Sequence, residues 1–419
     1  MKVFPRDVER RIKKVLHRKE MIGLRGSRQS GKTTLFKKIS DELRNQGKHT
    51  EFISLDFIHL RKEFKKNPIE FIERYKSGKT YFFFDEIQQI PDAGLLLKII
   101  YDNVKDIKVF FSGSSSLEIK TKILPFLVGR VFLFDLLTFN FGEYINALDE
   151  KLYRIYLKKH FSLKNWLEGK GEILEPSFQS EFIQYLKEYL VYGGYPEVIK
   201  TRDNKTKRLV LENIYSLYIE KDISSVFNIS DSDKFDEFVR VLAFQIAQIL
   251  SVQSLVSELG INYMKTQEFL SILKHTYIID LVKPFHKNII TELKKSSKVY
   301  FLDLGLRNVT INNFLDFDSR NDRGEIFENF VYLQLKTNFN DYKINYWRTT
   351  GKAEIDFILS RGNEVIPVEV KLRKEKLSRG FLSFLNTYRP KKALIITLEK
   401  FGMEKIGKTL VHWVPGYYL

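Results

Sequence analysis

The chain has 419 residues, 43% of them hydrophobic and 14% aromatic, which excludes global disorder and a single ordinary core and indicates about three domains. Lys and Arg outnumber Asp and Glu by 69 to 52, so the formal charge of +17 favours a polyanionic partner such as nucleic acid, although a merely soluble Lys-rich surface gives the same charge. There are no cysteines, and no apolar run reaches the roughly 18 residues of a membrane span, which excludes disulfides, thiol catalysis and membrane helices. We therefore expect a folded cytoplasmic protein whose N-terminus, MKVFPRDVERRIKKVLHRKE, is an amphipathic helix and not a signal peptide.

From residue 21 onwards, predicted strands alternate with predicted helices. The strands are MIGLR, TEFISLD, TYFFFDE and KVFFSGS, and the helices are TTLFKKISDELRNQ and LLLKIIYDN. This alternation is typical of a mostly parallel α/β sheet covered by helices. After Glu143 the pattern becomes long and helical, to about residue 240.

A phosphate-binding loop is predicted at residues 26–33, GSRQSGKT, which fit G-x-x-x-x-G-K-[ST] between a strand and a helix. Its two glycines let backbone N–H groups and the helix N-terminus point at phosphate oxygens. Lys32 would neutralise the β and γ phosphates, and the hydroxyl of Thr33 would ligate Mg²⁺. We therefore predict that ATP and Mg²⁺ are bound here. The nucleotide-binding residues are Gly26, Ser27, Arg28, Gln29, Ser30, Gly31, Lys32, Thr33 and Thr34.

Two carboxylates complete this site in YFFFDEIQ. A buried aromatic strand places Asp85 and Glu86 at its carboxyl end, where open α/β sheets bind ligands. Asp85 suits a role behind the Mg²⁺ ligands, and Glu86 suits orienting or polarising the attacking water. The sequence thus predicts both halves of an ATP-hydrolysing site.

Two further residues are candidates for roles around the γ-phosphate. The strand KVFFSGSSS ends in hydroxyls, of which Ser114 is the preferred polar sensor and Ser112 a close alternative. Arg130 would act in trans as an arginine finger if the protein forms a homo-oligomer. The alternative for Arg130 is an ordinary surface or structural role.

A helix-turn-helix is predicted in SVQSLVSELGINYMKTQEFLSILKHTYII, with its turn at Gly260-Ile261-Asn262. The strand-like DLVKPF and KVYFLDL follow, so the segment is interpreted as a winged helix that binds DNA, or else as an interdomain or protein-binding module. The side chains expected to meet DNA bases are Lys265, Thr266 and Gln267. Those expected to contact phosphates from the wing are Lys294, Lys295 and Lys298.

A β-hairpin is predicted near the C-terminus in AEIDFILSR-GN-EVIPVEVK, where Gly362-Asn363 forms a two-residue loop. Such a loop requires paired residue numbers to sum to 725 and places Asp356 directly opposite Glu369. Two facing carboxylates repel unless a cation lies between them, and they suit Mg²⁺ or Mn²⁺. Lys371 would hold a metal-activated water or stabilise charge on a phosphodiester.

The helix RGEIFENFVYLQLKTNF precedes this hairpin and carries Glu328. Together they resemble the PD-(D/E)XK nuclease fold, with Glu328 as the helical glutamate, Asp356 as the central acid, and Glu369 and Lys371 as the E-x-K. The resemblance implies a metal-dependent nuclease site. The alternative is a degenerate nuclease fold used for binding or assembly.

A wider resemblance spans nearly the whole chain. The segments that carry it are IGLRGSRQSGKTTL, YFFFDEIQ, FSGSSS, VGRVF, LLTFNFGEY, YGGYPEVI and YIEKDIS. They are similar to those of archaeal and bacterial AAA+-type ATPases with a C-terminal domain of unassigned function. The resemblance implies ATP binding, hydrolysis and a nuclease-like C-terminal fold. Residues 193–196 match its GGYP signature, for which we predict only a tight turn between helices.

We therefore expect an α/β multidomain protein. Its ATPase would be linked to a DNA-binding winged helix and a possible Mg²⁺- or Mn²⁺-dependent DNA nuclease. The alternative is an ATP-gated DNA- or protein-binding regulator with an inactive nuclease-like domain. The predicted domains are an ATPase at 1–148, a helical region at 149–240, a winged helix at 241–312 and a nuclease-like domain at 318–419.

Overall fold

The computed structural model describes residues 4–113, 119–219, 232–286, 296–372 and 376–419. The chain divides into two compact units, one of Met1–Phe139 with His275–Ile278 and one of Asn140–Lys274 with Ile279–Leu419. The four predicted domain ranges stay predictions. Within the described ranges, no helix is both long and apolar enough to cross a bilayer.

The first unit alternates helices with strands, as predicted. Its elements are α1 (Asp7–Lys14), β1 (Met21–Arg25), α2 (Lys32–Asn45), β2 (His49–Ser54), α3 (Ile58–Lys66), α4 (Pro68–Tyr75), β3 (Thr80–Asp85), α5 (Ala93–Asn103), β4 (Ile107–Gly113) and β5 (Val131–Asp135).

These strands form one parallel sheet in the order β2-β3-β4-β1-β5. Every residue of β3 is buried, because Phe82 and Phe84 pack into one hydrophobic cluster and Tyr81 and Phe83 into another on the opposite face. A strand that is apolar on both faces needs helices on both sides. The predicted parallel α/β sheet is therefore confirmed, with β4 lying between β1 and β3.

The second unit is helical at first and ends in a sheet. Its helices are α6 (Phe141–Leu148), α7 (Glu150–Leu167), α8 (Gln179–Tyr192), α9 (Pro196–Lys200), α10 (Asn204–Leu217), α11 (Ser232–Phe244), α12 (Val252–Leu259), α13 (Tyr263–His275), α14 (Leu304–Thr310), α15 (Arg323–Asn338) and α16 (Arg379–Tyr388). Its strands are β6 (Ile279–Val282), β7 (Lys298–Phe301), β8 (Lys343–Arg348), β9 (Glu354–Arg361), β10 (Glu364–Val370), β11 (Lys392–Thr397), β12 (Gly402–Ile406) and β13 (Thr409–Pro415).

The YGGYP segment forms a tight turn between α8 and α9. Gly193 has a φ of 72°, and a Cβ added to it would lie 2.3 Å from the Asp303 side chain. The backbone N–H of Gly194 donates to Asp303 Oδ2 at 2.9 Å, while Oδ1 caps α14 by accepting from Leu306 N at 2.9 Å. Gly193 thus allows a close backbone approach, and this position of the signature has a structural explanation.

The helix-turn-helix elements are present as α12 and α13. Ser251 caps α12 through its hydroxyl, and Gly260 takes a left-handed φ of 63° that ends this helix. Asn262 starts α13 by accepting from Lys265 N at 2.8 Å. β6 and β7 pair in antiparallel fashion beyond α13. The assignment of this segment as a winged helix stays a prediction.

The C-terminal sheet has the order β12-β13-β11-β10-β9-β8. β10, β11 and β13 run parallel to one another, whereas β9, β8 and β12 pair in antiparallel fashion. The buried side chains of α16 join the sheet in one hydrophobic cluster, which includes Phe381 and Phe384. This sheet positions the acidic residues of the second candidate site.

Candidate functional site

The phosphate-binding loop connects β1 to α2, and its two glycines meet different requirements. Gly31 has a left-handed φ of 95° at the start of α2. Gly26 lies so close to the next chain segment that a Cβ would be 2.0 Å from the carbonyl oxygen of Leu136. The first turn of α2 contains no acidic residue that would repel an anion. Its N-cap residue is Gly31, and no side chain caps the first N–H groups of the helix among the described residues. Its N–H groups are therefore suited to phosphate oxygens.

Lys32 is the first residue of α2, and its side chain folds back into the loop. Its buried ammonium donates to the carbonyl oxygens of Gly26 at 3.0 Å and Ser27 at 2.9 Å. The hydroxyl of Ser30 also donates to Ser27 O, at 2.8 Å. The predicted phosphate-binding cation is thus held at the loop, next to the start of α2.

Asp85 connects the loop to the middle of the sheet. Its Oδ2 accepts from the Thr33 hydroxyl at 2.7 Å, and its Oδ1 accepts from the hydroxyl of Ser112 on β4. Asp85 and Ser112 are both buried. The structure thus brings together three of the predicted residues, including the alternative polar sensor. The preferred sensor, Ser114, lies outside the described residues.

Glu86 follows Asp85 with an unusual backbone conformation. Its φ of 56° is left-handed, which is uncommon for a residue with a side chain and is concentrated at functional sites. Its carboxylate accepts from Gln88 Nε2. This geometry turns Glu86 away from the direction of β3 and fixes its side chain at the strand end.

Arg130 forms an ion pair within its own unit. Its guanidinium lies 3.0 Å and 3.2 Å from the two carboxylate oxygens of Asp102, and it faces the ring of Tyr101 at 5.8 Å. Such a pair is consistent with the structural role left open for this residue. Action in trans on a neighbour's nucleotide stays a prediction.

Arg6 is a contributor to this site that the sequence did not reveal. Its buried guanidinium donates to Ser30 O in the loop at 2.8 Å and to Leu137 O at 2.7 Å. It also lies 4.3 Å from the ring of Phe139. Arg6 therefore ties the loop to the segment that follows β5, and no motif precedes the loop that would mark it.

The predicted DNA-reading residues of α13 differ in exposure. Thr266 is fully buried and its hydroxyl donates to Asn262 O at 3.0 Å, so its assignment as a base contact is wrong. It lies on the apolar face of the helix, next to the buried Phe269. Lys265 and Gln267 are partly exposed, and their DNA contact stays a prediction.

The predicted wing lysines also require a correction. Lys294 and Lys295 lie outside the described residues. Lys298 is 2% exposed on β7 and is surrounded by carboxylates, so it is not a surface contact for phosphates. All four residues of its short strand are buried, which the basic sequence neighbours of Lys298 do not indicate.

The hairpin register agrees with the prediction over most of its length. Pairs run from Arg361↔Glu364 to Phe357↔Val368, and Gly362 has the left-handed φ of 58° that a two-residue turn requires. The register recorded in the structure ends one pair before Asp356 and Glu369, because Asp356 Oδ2 accepts from the backbone N–H of Val370 at 2.7 Å. The predicted pairing of Asp356 with Glu369 lies one step beyond this register and stays a prediction.

Four acids form a cluster that we name the C-terminal acidic cluster, consisting of Glu328, Glu354, Asp356 and Glu369. Lys298 Nζ lies 3.0 Å from Glu328 Oε1, 2.7 Å from Glu354 Oε1 and 3.9 Å from Asp356 Oδ1. The helical Glu328 and the two acids of β9 therefore surround one ammonium group, which was not predicted there.

The outer part of the cluster involves Glu369 and Lys371. Lys371 Nζ lies 3.3 Å from Glu369 Oε1. Glu369 Oε2 is buried and makes no hydrogen bond of ordinary geometry to the described residues. This oxygen is the part of the cluster best placed to accept a metal ion.

Burial and mutual repulsion perturb the cluster's carboxyl groups. Burial, followed by the charge of Asp356, raises the pKa of Glu328 to about 7 and the pKa of Glu369 to about 7. Burial also raises the pKa of Asp356. For Lys298, burial acts to lower the pKa, but the charges of the surrounding carboxylates outweigh it and raise the pKa above the ordinary lysine value. The cluster thus retains protons to higher pH than isolated carboxyl groups.

This proton retention predicts how stability depends on pH. The folded chain holds protons on Glu328 and Glu369 that the unfolded chain releases from about pH 4.5, so the contribution of these two groups to stability should fall as pH rises towards about 7. Between about pH 4.5 and 7, we expect the thermal unfolding temperature of Glu369→Gln to fall less than that of wild type. Scanning calorimetry in the presence of a chelator, which keeps metal ions from the cluster, measures both proteins. Equal pH dependence in both proteins would contradict the raised pKa of Glu369.

A metal ion fits the cluster only in part. Across the described ranges, no three acidic or histidine side chains are arranged to hold a metal ion together. Mg²⁺ in proteins is often held by one or two carboxylates, with water and phosphate completing its ligands. Asp356 and Glu369 would supply such a pair of carboxylates, and Glu369 Oε2 is buried without an ordinary hydrogen bond to the described residues.

The parallel sheet and the glycine loop between β1 and α2 have the arrangement of a P-loop domain. Residues 18–145 match the family model described as "AAA domain". Residues 183–316 match "Domain of unknown function (DUF8612)", and residues 323–415 match "Domain of unknown function (DUF4143)". For residues 18–145, the observed fold and the matching family model both indicate a P-loop domain.

Two individual proteins are similar over most of their length. The chain is 24% identical to "Uncharacterized protein MJ1544" of Methanocaldococcus jannaschii over 418 residues, covering 97% of this chain and 87% of that protein. It is 23% identical to "Uncharacterized protein Rv2008c" of Mycobacterium tuberculosis over 380 residues, covering 88% of this chain and 74% of that protein.

Two solved structures show weak likeness. The Aeropyrum pernix ORC1 protein in complex with DNA is 10% identical, with 74% of this chain and 93% of that chain covered and a TM-score of 0.33. AMPPCP-bound DnaA from Aquifex aeolicus is 13% identical, with 64% and 87% covered and a TM-score of 0.29. Both TM-scores are too low to support a functional inference.

Proposed function

We propose that the first unit binds ATP with Mg²⁺ and hydrolyses the ATP. The observation that carries this proposal is the contact of Asp85 with the hydroxyls of Thr33 and Ser112 beside a glycine loop. Lys32 and the N-terminus of α2 would bind phosphate oxygens, and Thr33 would hold Mg²⁺ with Asp85 behind it. When bound, Mg²⁺ neutralises charge on the β- and γ-phosphate oxygens.

Glu86 is the residue proposed to orient the attacking water. It follows Asp85 at the carboxyl end of β3, and Gln88 holds its carboxylate. A carboxylate there can accept a hydrogen bond from water without being a metal ligand itself. Binding and hydrolysis should therefore depend on different residues.

Replacing Glu86 with glutamine should separate these two steps. We expect Glu86→Gln to bind a fluorescent ATP analogue with unchanged affinity, because the loop is intact, while hydrolysis falls at least about 100-fold. Phosphate release and analogue titration measure the two effects. The matched control is Glu73→Gln, which alters an exposed glutamate of α4. Normal turnover by Glu86→Gln would rule out the role of Glu86.

For the second unit we propose metal-dependent cleavage of DNA phosphodiesters. Asp356 and Glu369 would hold Mg²⁺ or Mn²⁺, and Lys371, which lies 3.3 Å from Glu369, would orient water or stabilise charge on the phosphate. Glu328 contributes the helical acid of the same cluster. The net charge of +17 supports a nucleic-acid partner.

A second candidate function is an ATP-gated regulator that binds DNA or protein without cutting it. The ion pairs of Lys298 with Glu328 and Glu354 favour it, because a cluster neutralised by lysine can be purely structural. DNA cleavage in the presence of metal distinguishes the two functions.

A further inference from the structure

We propose that Lys298 is a built-in counter-cation of the C-terminal acidic cluster. Its ammonium neutralises Glu328 and Glu354 and confines a divalent cation to Asp356 and Glu369. This inference rests on the metal site of the proposed function and adds a residue that limits how tightly that site binds metal.

The position of Lys298 is fixed by its strand. Its backbone pairs with Val282 in the β6–β7 ladder and bridges to Ile249 on the other side. The side chain is 2% exposed, so its ammonium cannot lie in bulk water. A buried ammonium requires paired carboxylates, and Glu328 and Glu354 supply them at 3.0 Å and 2.7 Å.

The same contacts occupy Glu328. Its Oε1 accepts both from Lys298 and from the hydroxyl of Tyr300, the latter at 2.7 Å. A metal ion that recruited Glu328 would have to compete with the Lys298 ammonium for it. Glu369 has different neighbours: Lys371 Nζ lies 3.3 Å from its Oε1, and among the described residues its Oε2 has no partner of ordinary hydrogen-bond geometry.

The charges of the whole cluster lead to the same inference. Four carboxylates face three cations, since Arg348 lies 3.6 Å from Glu354 and Lys371 lies 3.3 Å from Glu369. Lys298 is the most buried of these cations and touches the most acids. Its removal would therefore increase the attraction of the cluster for a divalent ion more than the loss of either rim cation.

Mn²⁺ binding to the full chain tests this role. We expect Lys298→Met to bind Mn²⁺ at least about tenfold more tightly than wild type, measured by the electron paramagnetic resonance signal of free Mn²⁺, because a nearby positive charge is gone. Lys298→Arg keeps the charge and should bind like wild type. Adding Glu328→Gln to Lys298→Met should reverse the gain, since Glu328 is the ligand released.

The matched control is Lys207→Met, which removes another buried lysine that is paired with a glutamate, Glu188, in the same unit. It should leave Mn²⁺ affinity unchanged. If Lys298→Met does not fold, Lys298→Met/Glu354→Gln removes one charge of each sign and should still bind more tightly than Glu354→Gln alone.

Two results would overturn the proposal in distinguishable ways. In the first, wild type binds Mn²⁺ and Glu369→Gln abolishes this binding, but Lys298→Met shows no gain in Mn²⁺ affinity. This result would support the metal site and refute the role of Lys298 as a counter-cation. In the second, no folded variant binds Mn²⁺ in a way that depends on Glu369. This result would refute both the metal site and the role of Lys298.

Discussion

Lys32→Ala should abolish ATP hydrolysis, with turnover reduced at least about 100-fold. Its ammonium is held at the loop by Gly26 O and Ser27 O, beside the N-terminus of α2 where the phosphates would bind. The loss removes charge stabilisation from the transferring phosphoryl group and also weakens nucleotide binding. A phosphate-release assay with Mg²⁺ and saturating ATP measures turnover.

The matched control for this substitution is Lys37→Ala. Lys37 lies on the same helix, α2, but is exposed, so its replacement makes the same charge change without reaching the loop. We expect normal turnover from this variant. Undiminished hydrolysis by Lys32→Ala would show that the loop is not the hydrolytic site.

Asp356→Asn and Glu369→Gln should each abolish nicking of supercoiled plasmid in Mg²⁺ or Mn²⁺. Both substitutions remove the charge that holds the cation and keep the shape of the side chain. The amide oxygen of asparagine can still accept the hydrogen bond from Val370 N, so the end of the hairpin should be preserved. Gel electrophoresis of the plasmid measures the fraction nicked over time.

Glu364→Gln is the control, because Glu364 lies on the same strand, β10, and contacts Tyr342 and Arg361 at the surface end of the hairpin. It should cut like wild type. Equal cutting by all four proteins would indicate a contaminating nuclease, and no cutting by wild type would favour the regulator.

The parts of the fold that could be predicted are those with local constraints. The loop motif determines the backbone at Gly26 and Gly31, where close approach and a left-handed φ exclude other residues. The hairpin register was predictable because a two-residue turn at Gly362 leaves one pairing for the strands. These inferences need no knowledge of distant neighbours.

The features that could not be predicted depend on distant contacts. Lys298 was expected on the surface because its sequence neighbours are basic, but its partners lie on α15 and β9. Arg6 contacts carbonyl groups, which any sequence supplies, so no residue type reveals the contact. The exposure of Thr266 depends on which face of α13 packs inwards. This helix is weakly amphipathic, so its sequence does not indicate that face clearly.

The position of β4 between β1 and β3 has a consequence for the size of the ATP site. The loop strand and the acidic strand are two strand spacings apart, roughly 9 to 10 Å, and the end of β4 forms the floor of that gap. Ser112 is buried at the end of β4 and donates to Asp85 across this gap. The spacing between the two halves of the site is therefore determined by a strand that belongs to neither nucleotide-binding motif.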